Sequence, residues 1–271
     1  MRLLILFVSV PFIAYSQGYV SSEDEAFYSS YNDGWSTGDN GGRGFGPWLL
    51  IAPEYMNEGQ DQEQYNGFFI ADSSRESNLS KAARQGSAFG IFANGTGFEE
   101  TLAFRSFNSA LNVGDIFSFR FEFDGFEQKF NEDSRVGYST VGVIFRNSES
   151  GSTIEDLSQG RALVFAAIKG LSTYQVLDAG GRFNTGIFID PEGVEISVTV
   201  QRNMTYDIQI ITLSERIIYN FRGRDLITKF NADTSNQPSG SSLRGFALFN
   251  LNGGLNNAYY GAFQILRKGD E

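Results

Sequence analysis

The stretch "EFDGFE", residues 122–127, places three carboxylates within one short window. On an extended chain Glu122 and Asp124 share a face, and Gly125 supplies a position where a bulge could turn Glu127 toward them. Paired carboxylates are the equipment of glycoside hydrolysis, and a separation of about 5–5.5 Å suits the retaining mechanism. The plainer reading is a chance match in a chain with 32 acidic residues. On that reading Glu122 and Asp124 lie on a solvated strand face, and Glu127 sits in the polar, turn-like "DGFEQKFNEDSR".

A second candidate is "GWSTGDNGGRGFGPW", residues 34–48, which holds both tryptophans of the chain. Asp33, Asp39 and Asn40 carry the oxygen donors that calcium takes. Trp35 offers a flat aromatic face of the kind that sugar rings pack on. Against these readings, Trp48 heads "GPWLLI" and reads as core, and the glycines would let a loop cross the edge of a sandwich. A third cluster lies in "TYQVLDAGGRFNTG", residues 173–186. Tyr174, Asp178, Arg182 and Asn184 could line a saccharide groove, or simply decorate a hairpin.

Two absences narrow the chemistry. The chain has no histidine and no cysteine. A Ser-His-Asp triad, a Cys-His pair and a His/Cys zinc site are therefore excluded. Any catalysis must use carboxylates, Lys, Tyr or Ser. A bound metal would take oxygen ligands, so the expectation is no required cofactor, with a structural calcium as the one open option.

Strands must position these residues. In "DIFSFRFEFD", residues 115–124, Phe117, Phe119, Phe121 and Phe123 fall on one face and Ser118, Arg120, Glu122 and Asp124 on the other, the period of a half-buried strand. Similar segments recur from residue 67 to residue 266. Turn chemistry separates them at "DPEG" (190–193), "QRN" (201–203) and "LSER" (213–216). Only "ESNLSKAARQ" (76–85) and "RDLITKFNA" (224–232) carry a hint of helix. Many short strands with little helical period predict an all-β antiparallel jelly-roll sandwich, one domain over residues 17–271.

The ends and the charge bound the location. Residues 1–16, "MRLLILFVSVPFIAYS", have the basic start, short apolar run and small-residue end of a signal peptide, with cleavage expected before Gln17. No later segment has the length of a membrane span. The net charge of -11 disfavours nucleic acid and anionic membrane surfaces as partners. The expected location is secreted or cell-surface, periplasmic or extracellular.

Taken together, "YNDGWSTGDNGGRGFGPW", "GFFIADSS", "GSAFGIFANG", "LNVGDIFSFRFEF", "GIFIDPEGVEISVTV" and "FALFNLN" resemble a family of bacterial exported proteins of uncharacterised function. The resemblance runs over residues 31–266. It implies a concanavalin-like jelly roll, and transfers no catalytic residue. Many members carry a C-terminal sorting anchor, which is not expected after "ILRKGDE". "EFDGFE" separately resembles the E-x-D-x-x-E pattern of retaining jelly-roll glucanases similar to laminarinases and agarases. That likeness implies Glu122 as nucleophile, Asp124 as its modulator and Glu127 as general acid. The expected function is non-catalytic, lectin-like recognition of extracellular glycan, on analogy with what such folds host. The alternatives are a retaining glycosidase using Glu122, Asp124 and Glu127, and a structural or adhesive surface protein that could self-associate.

Overall fold

The alternation read in "DIFSFRFEFD" is the organising feature of the structure. Phe117, Phe119, Phe121 and Phe123 are 0–1% exposed and form the middle of the core. The computed structural model describes residues 18–52, 66–94, 99–126, 139–147, 160–189, 191–224 and 243–269. The leader, Gln17, Glu127 and most of the second helical hint lie outside the described residues.

In chain order the strands are β1 (Tyr19–Asp24), β2 (Phe45–Ile51), β3 (Asn66–Asp72), β4 (Ser87–Ala93), β5 (Glu100–Leu111), β6 (Ile116–Phe123), β7 (Thr140–Arg146) and β8 (Arg161–Ile168). They continue as β9 (Thr173–Asp178), β10 (Gly181–Phe188), β11 (Val194–Val200), β12 (Thr205–Thr212), β13 (Ile218–Arg224), β14 (Leu243–Leu251) and β15 (Gly254–Arg267). One sheet runs β13-β12-β11-β6-β15-β4-β3, and the other β10-β9-β8-β7-β14-β5-β2. All pairings are antiparallel, and the two sheets pack face to face as an all-β jelly-roll sandwich. Among the described residues no helix is long and apolar enough to cross a membrane.

β15 carries two neighbours in succession along one edge. β4 pairs with its first part, from Gly254 to Tyr260, and β1 with its second, from Phe263 to Arg267. Between them the backbone bulges at Ala262, whose φ is 55°. The Ala262 N–H faces neither neighbour and donates instead to Glu25 Oε2 at 3.1 Å. A carboxylate thus satisfies the amide that the bulge leaves over.

β8 and β14 read as nearly continuous apolar runs because both of their faces are covered. Their inward residues, such as Phe165 and Phe246, join the central core. Their outward residues join a second cluster in which Leu102, Phe104, Ile144, Val164 and Phe249 are 3–7% exposed. Burial on both faces removes the selection for polar residues at alternate positions.

Two local readings change, and one holds. "ESNLSKAARQ" forms turns and bends, with no helix, because the amides of Ser80, Lys81 and Ala82 donate to a side chain and are lost to helical pairing. β1 and β2 are strands that the periodicity did not reveal. The "QRN" hairpin is confirmed, with Asn203 and Met204 both at positive φ. Replacing Phe119 with Ala should lower stability by about 3–5 kcal/mol. Chemical denaturation would read this directly, and a loss below about 1 kcal/mol would contradict the core assignment.

Candidate functional site

The opening tract is held by charge and by ring packing. Arg105, on β5 and fully buried, forms an ion pair with Asp24 at the end of β1, which is buried as well. The same guanidinium donates to Gly46 O at 2.9 Å and Asn40 Oδ1 at 2.7 Å. It also lies over the rings of Phe45 and Trp48, at 4.9 and 4.7 Å. Tyr31 donates to Asp24 Oδ2 at 2.7 Å and accepts from Gly41 N and from Trp48 Nε1, both at 3.1 Å. Burial pushes the Asp24 carboxyl up, and the charge of Arg105 acts against that push.

This arrangement corrects the reading of Trp35 as a ligand platform. Its indole is buried and packs against Trp48 at 5.0 Å, Phe68 at 5.3 Å and Phe89 at 4.9 Å. The calcium donor set does not fit either. Asn40 Oδ1 faces a guanidinium, which repels a divalent cation, and Asp39 Oδ2 accepts from Ser36 N at 2.7 Å. Asp33 is exposed, and among the described residues no three acidic side chains are placed to hold a metal ion. Trp35→Ala should therefore destabilise the protein by about 3–5 kcal/mol, whereas chelator should leave the melting temperature unchanged. A chelator-induced drop of several degrees would restore calcium to the loop.

Of the trio in "EFDGFE", Glu122 is not placed to act as a nucleophile. Glu122 is fully buried, against the expectation of a solvated face. Its Oε1 accepts from Ser80 N at 2.8 Å and Ser80 Oγ at 3.1 Å, and its Oε2 from Lys81 N at 2.9 Å and Ala82 N at 2.8 Å. Burial pushes its carboxyl up, and these bonds act against it. A nucleophile must face a reacting carbon, and the backbone of Ser80–Ala82 covers Glu122 instead. Asp124 is partly buried with one oxygen unpartnered, and burial raises its pKa too. Glu127 lies outside the described residues. Glu122→Gln should lower stability by about 1–3 kcal/mol, because its new NH₂ meets backbone donors. Thermal unfolding checks this, and an unchanged melting temperature would contradict the clamp.

The third cluster is divided. Tyr174 is in the core against Phe165 at 5.0 Å and Phe121 at 6.0 Å, so it cannot line a surface groove. Asp178 is buried and accepts from Gly180 N at 2.6 Å and Arg224 N at 2.8 Å, tying the β9–β10 hairpin to β13. Arg182 and Asn184 are exposed on the edge strand β10.

The groove that does form lies elsewhere. It has a volume of about 690 Å³ and is enclosed by the start of β1, the end of β5 with its following turn, and the end of β15. Asp115 organises its base, accepting from Asn112 N at 2.8 Å, Arg267 Nη1 at 2.6 Å and Lys268 N at 3.0 Å. Arg267 further donates to Ala110 O at 2.8 Å, and to Ser109 O at 2.9 Å and Ser109 Oγ at 2.7 Å. Gly44 has a φ of 81°, and a Cβ there would fall on Ser22 Oγ, so only glycine lets β1 close against this wall. Around this rigid base Tyr19, Asn108, Asn112 and Lys268 are exposed, with Tyr19 at 62%. The side chains of these four make no hydrogen bond or ion pair among the described residues. None of them was singled out in the sequence. The available signal was the Asn- and Ser-rich end of "SFNSALNVGD" (106–115), but its partners lie at opposite ends of the chain.

No protein-family model matches the chain, and no curated protein matches it in sequence. Solved structures do match its shape. A legume lectin-like domain from Entamoeba histolytica is 9% identical, with 74% of this chain and 90% of that one covered at a TM-score of 0.42. Lectin II from Ulex europaeus is 8% identical, with coverage of 80% and 97% and a TM-score of 0.39. A protein of unknown function with a galectin-like fold from Bacillus subtilis is 9% identical, with coverage of 81% and 89% and a TM-score of 0.42.

Proposed function

We propose that the protein is an exported, non-catalytic binding protein that recognises extracellular glycan in the groove between β1, β5 and β15. The observation that carries this reading is the exposed ring of Tyr19 beside the side-chain amides of Asn108 and Asn112, which have no partner among the described residues. Sugars present hydroxyls in several directions and a weakly apolar ring face. Amides both donate and accept, which suits the first, and an aromatic ring suits the second. A hydroxyl- and amide-lined groove gives little to an apolar ligand, whose site would be closed and mostly hydrophobic. Glu122 is occupied as a backbone clamp, so the glycosidase alternative loses its nucleophile. Export rests on the leader-like residues 1–16, and the resemblance to exported proteins agrees with it. No cofactor is required by this reading.

The test is a screen of extracellular oligo- and polysaccharides, followed by calorimetry on any hit. Tyr19→Ala and Asn112→Ala should each weaken binding about tenfold, the equivalent of one good contact, with the melting temperature unchanged. Unaltered affinity in the double variant would move the site elsewhere. The absence of any binding across the screen would overturn the function itself.

A further inference from the structure

The groove's charges are not all committed to its own base. Asp115 is the acidic side chain among its described lining, and it is consumed three times over by Asn112 N, Arg267 and Lys268 N. Arg267 is consumed in turn by Asp115, Ser109 and Ala110. These two ions neutralise each other at 2.6 Å, with side chains only 15% and 7% exposed. Neither is left to meet a ligand.

Lys268 differs. Its backbone is fixed by the bond to Asp115 Oδ1, while its ammonium makes no hydrogen bond or ion pair among the described residues. The stem is also placed. Gly114 has a φ of 95°, and a Cβ there would meet Lys268 Cδ at 2.9 Å, so the turn after β5 is shaped to let the lysine stem lie across it. Among the described residues, what the groove presents to solvent is therefore one positive charge without a counter-ion, flanked by the neutral amides of Asn108 and Asn112. This stands on a chain of net charge -11, whose overall field opposes any anion. A neutral sugar would draw nothing from the charge. An anionic sugar would gain a charge-assisted hydrogen bond that no other group in the groove supplies, and the local attraction would offset the general repulsion.

We propose that the groove selects an anionic sugar residue, a hexuronate or a sulfated hexose, and that Lys268 is the residue that sets this preference. The inference rests on the glycan reading above and narrows it. The ammonium takes the anion, Asn108 and Asn112 take neighbouring hydroxyls, and Tyr19 covers the ring.

The experiment is calorimetric titration of the full chain with a hexuronic acid oligosaccharide, with the same oligosaccharide after reduction of its carboxyl groups to neutral hydroxymethyls, and with a sulfated neutral oligosaccharide. At least one acidic form should bind about fivefold or more tightly than the neutral form, and the two acidic arms tell which anion is taken. Lys268→Met keeps the stem on Gly114 and removes only the charge. It should bring the acidic ligand down to the affinity of the neutral one, leave the neutral one unchanged, and leave the melting temperature unchanged. Equal affinity for acidic and neutral forms, or an acidic preference that survives in Lys268→Met, would overturn the inference while the glycan reading stands. Binding of none of the three would overturn this inference, and the wider carbohydrate screen then decides the glycan reading separately.

Discussion

The buried pair of Asp24 and Arg105 is the constraint on which the rest of the structure depends. Asp24 ends β1, a strand of one sheet, and Arg105 lies in β5, a strand of the other, so the pair spans the sandwich. Removing one partner of such a pair leaves an unpaired buried charge, at a cost of about 3–5 kcal/mol. Here every side of both ions is used. Tyr31, Asn40, the Gly46 carbonyl and the rings of Phe45 and Trp48 surround the two groups. The glycine-rich tract is thus an ordered cover over a buried charge, and four of its six glycines, Gly41, Gly42, Gly44 and Gly46, serve close approach. Gly42 shows this, since a Cβ there would run into Asp24 itself.

The anchor also reaches the groove. Residues 19–22 form one wall and lie in the same strand as Asp24, a few positions upstream. Glu25, the next residue after the anchor, accepts from Arg84 at 2.9 Å and from the bulged Ala262 N–H of β15. Burial pushes the Glu25 carboxyl up, and Arg84 acts against that push. Adjacent carboxylates thus fix β1 against β5 on one side and β15 on the other, the two strands that complete the groove.

A common theme runs through several buried acidic residues. Glu122, Asp178, Asp115 and Glu25 all accept backbone N–H bonds at places where strand pairing fails or ends. Each stands where a turn, bulge or irregular segment leaves amides without a partner, and a buried amide must be satisfied. Carboxylates are strong acceptors for this work. A sandwich whose described residues hold no α-helix to cap and many loops to pin has frequent use for such clamps, which accounts for acids at positions that a strand pattern would assign to water.

The class of fold was legible in residues 115–124 and 194–200, because a half-buried strand imposes a period of two that no other element shares. The absence of histidine and cysteine ruled out whole classes of chemistry with no structure needed, since those mechanisms require those atoms. The sequence could not show that Glu122 is enclosed, because the segment that encloses it comes from residues 80–82, remote along the chain. It could not separate Tyr174 from Arg182 as core and surface, since both sit in the same hairpin and differ only in which face the sheet packs. The groove was beyond reach for the same reason. Its walls come from residues 19–22, 44, 108–115 and 267–269, and only strand order and register bring them together. Periodicity is a local property of the backbone and can be read along the chain; the meeting of distant segments is decided by how the two sheets pair and pack, and exists only in the folded protein.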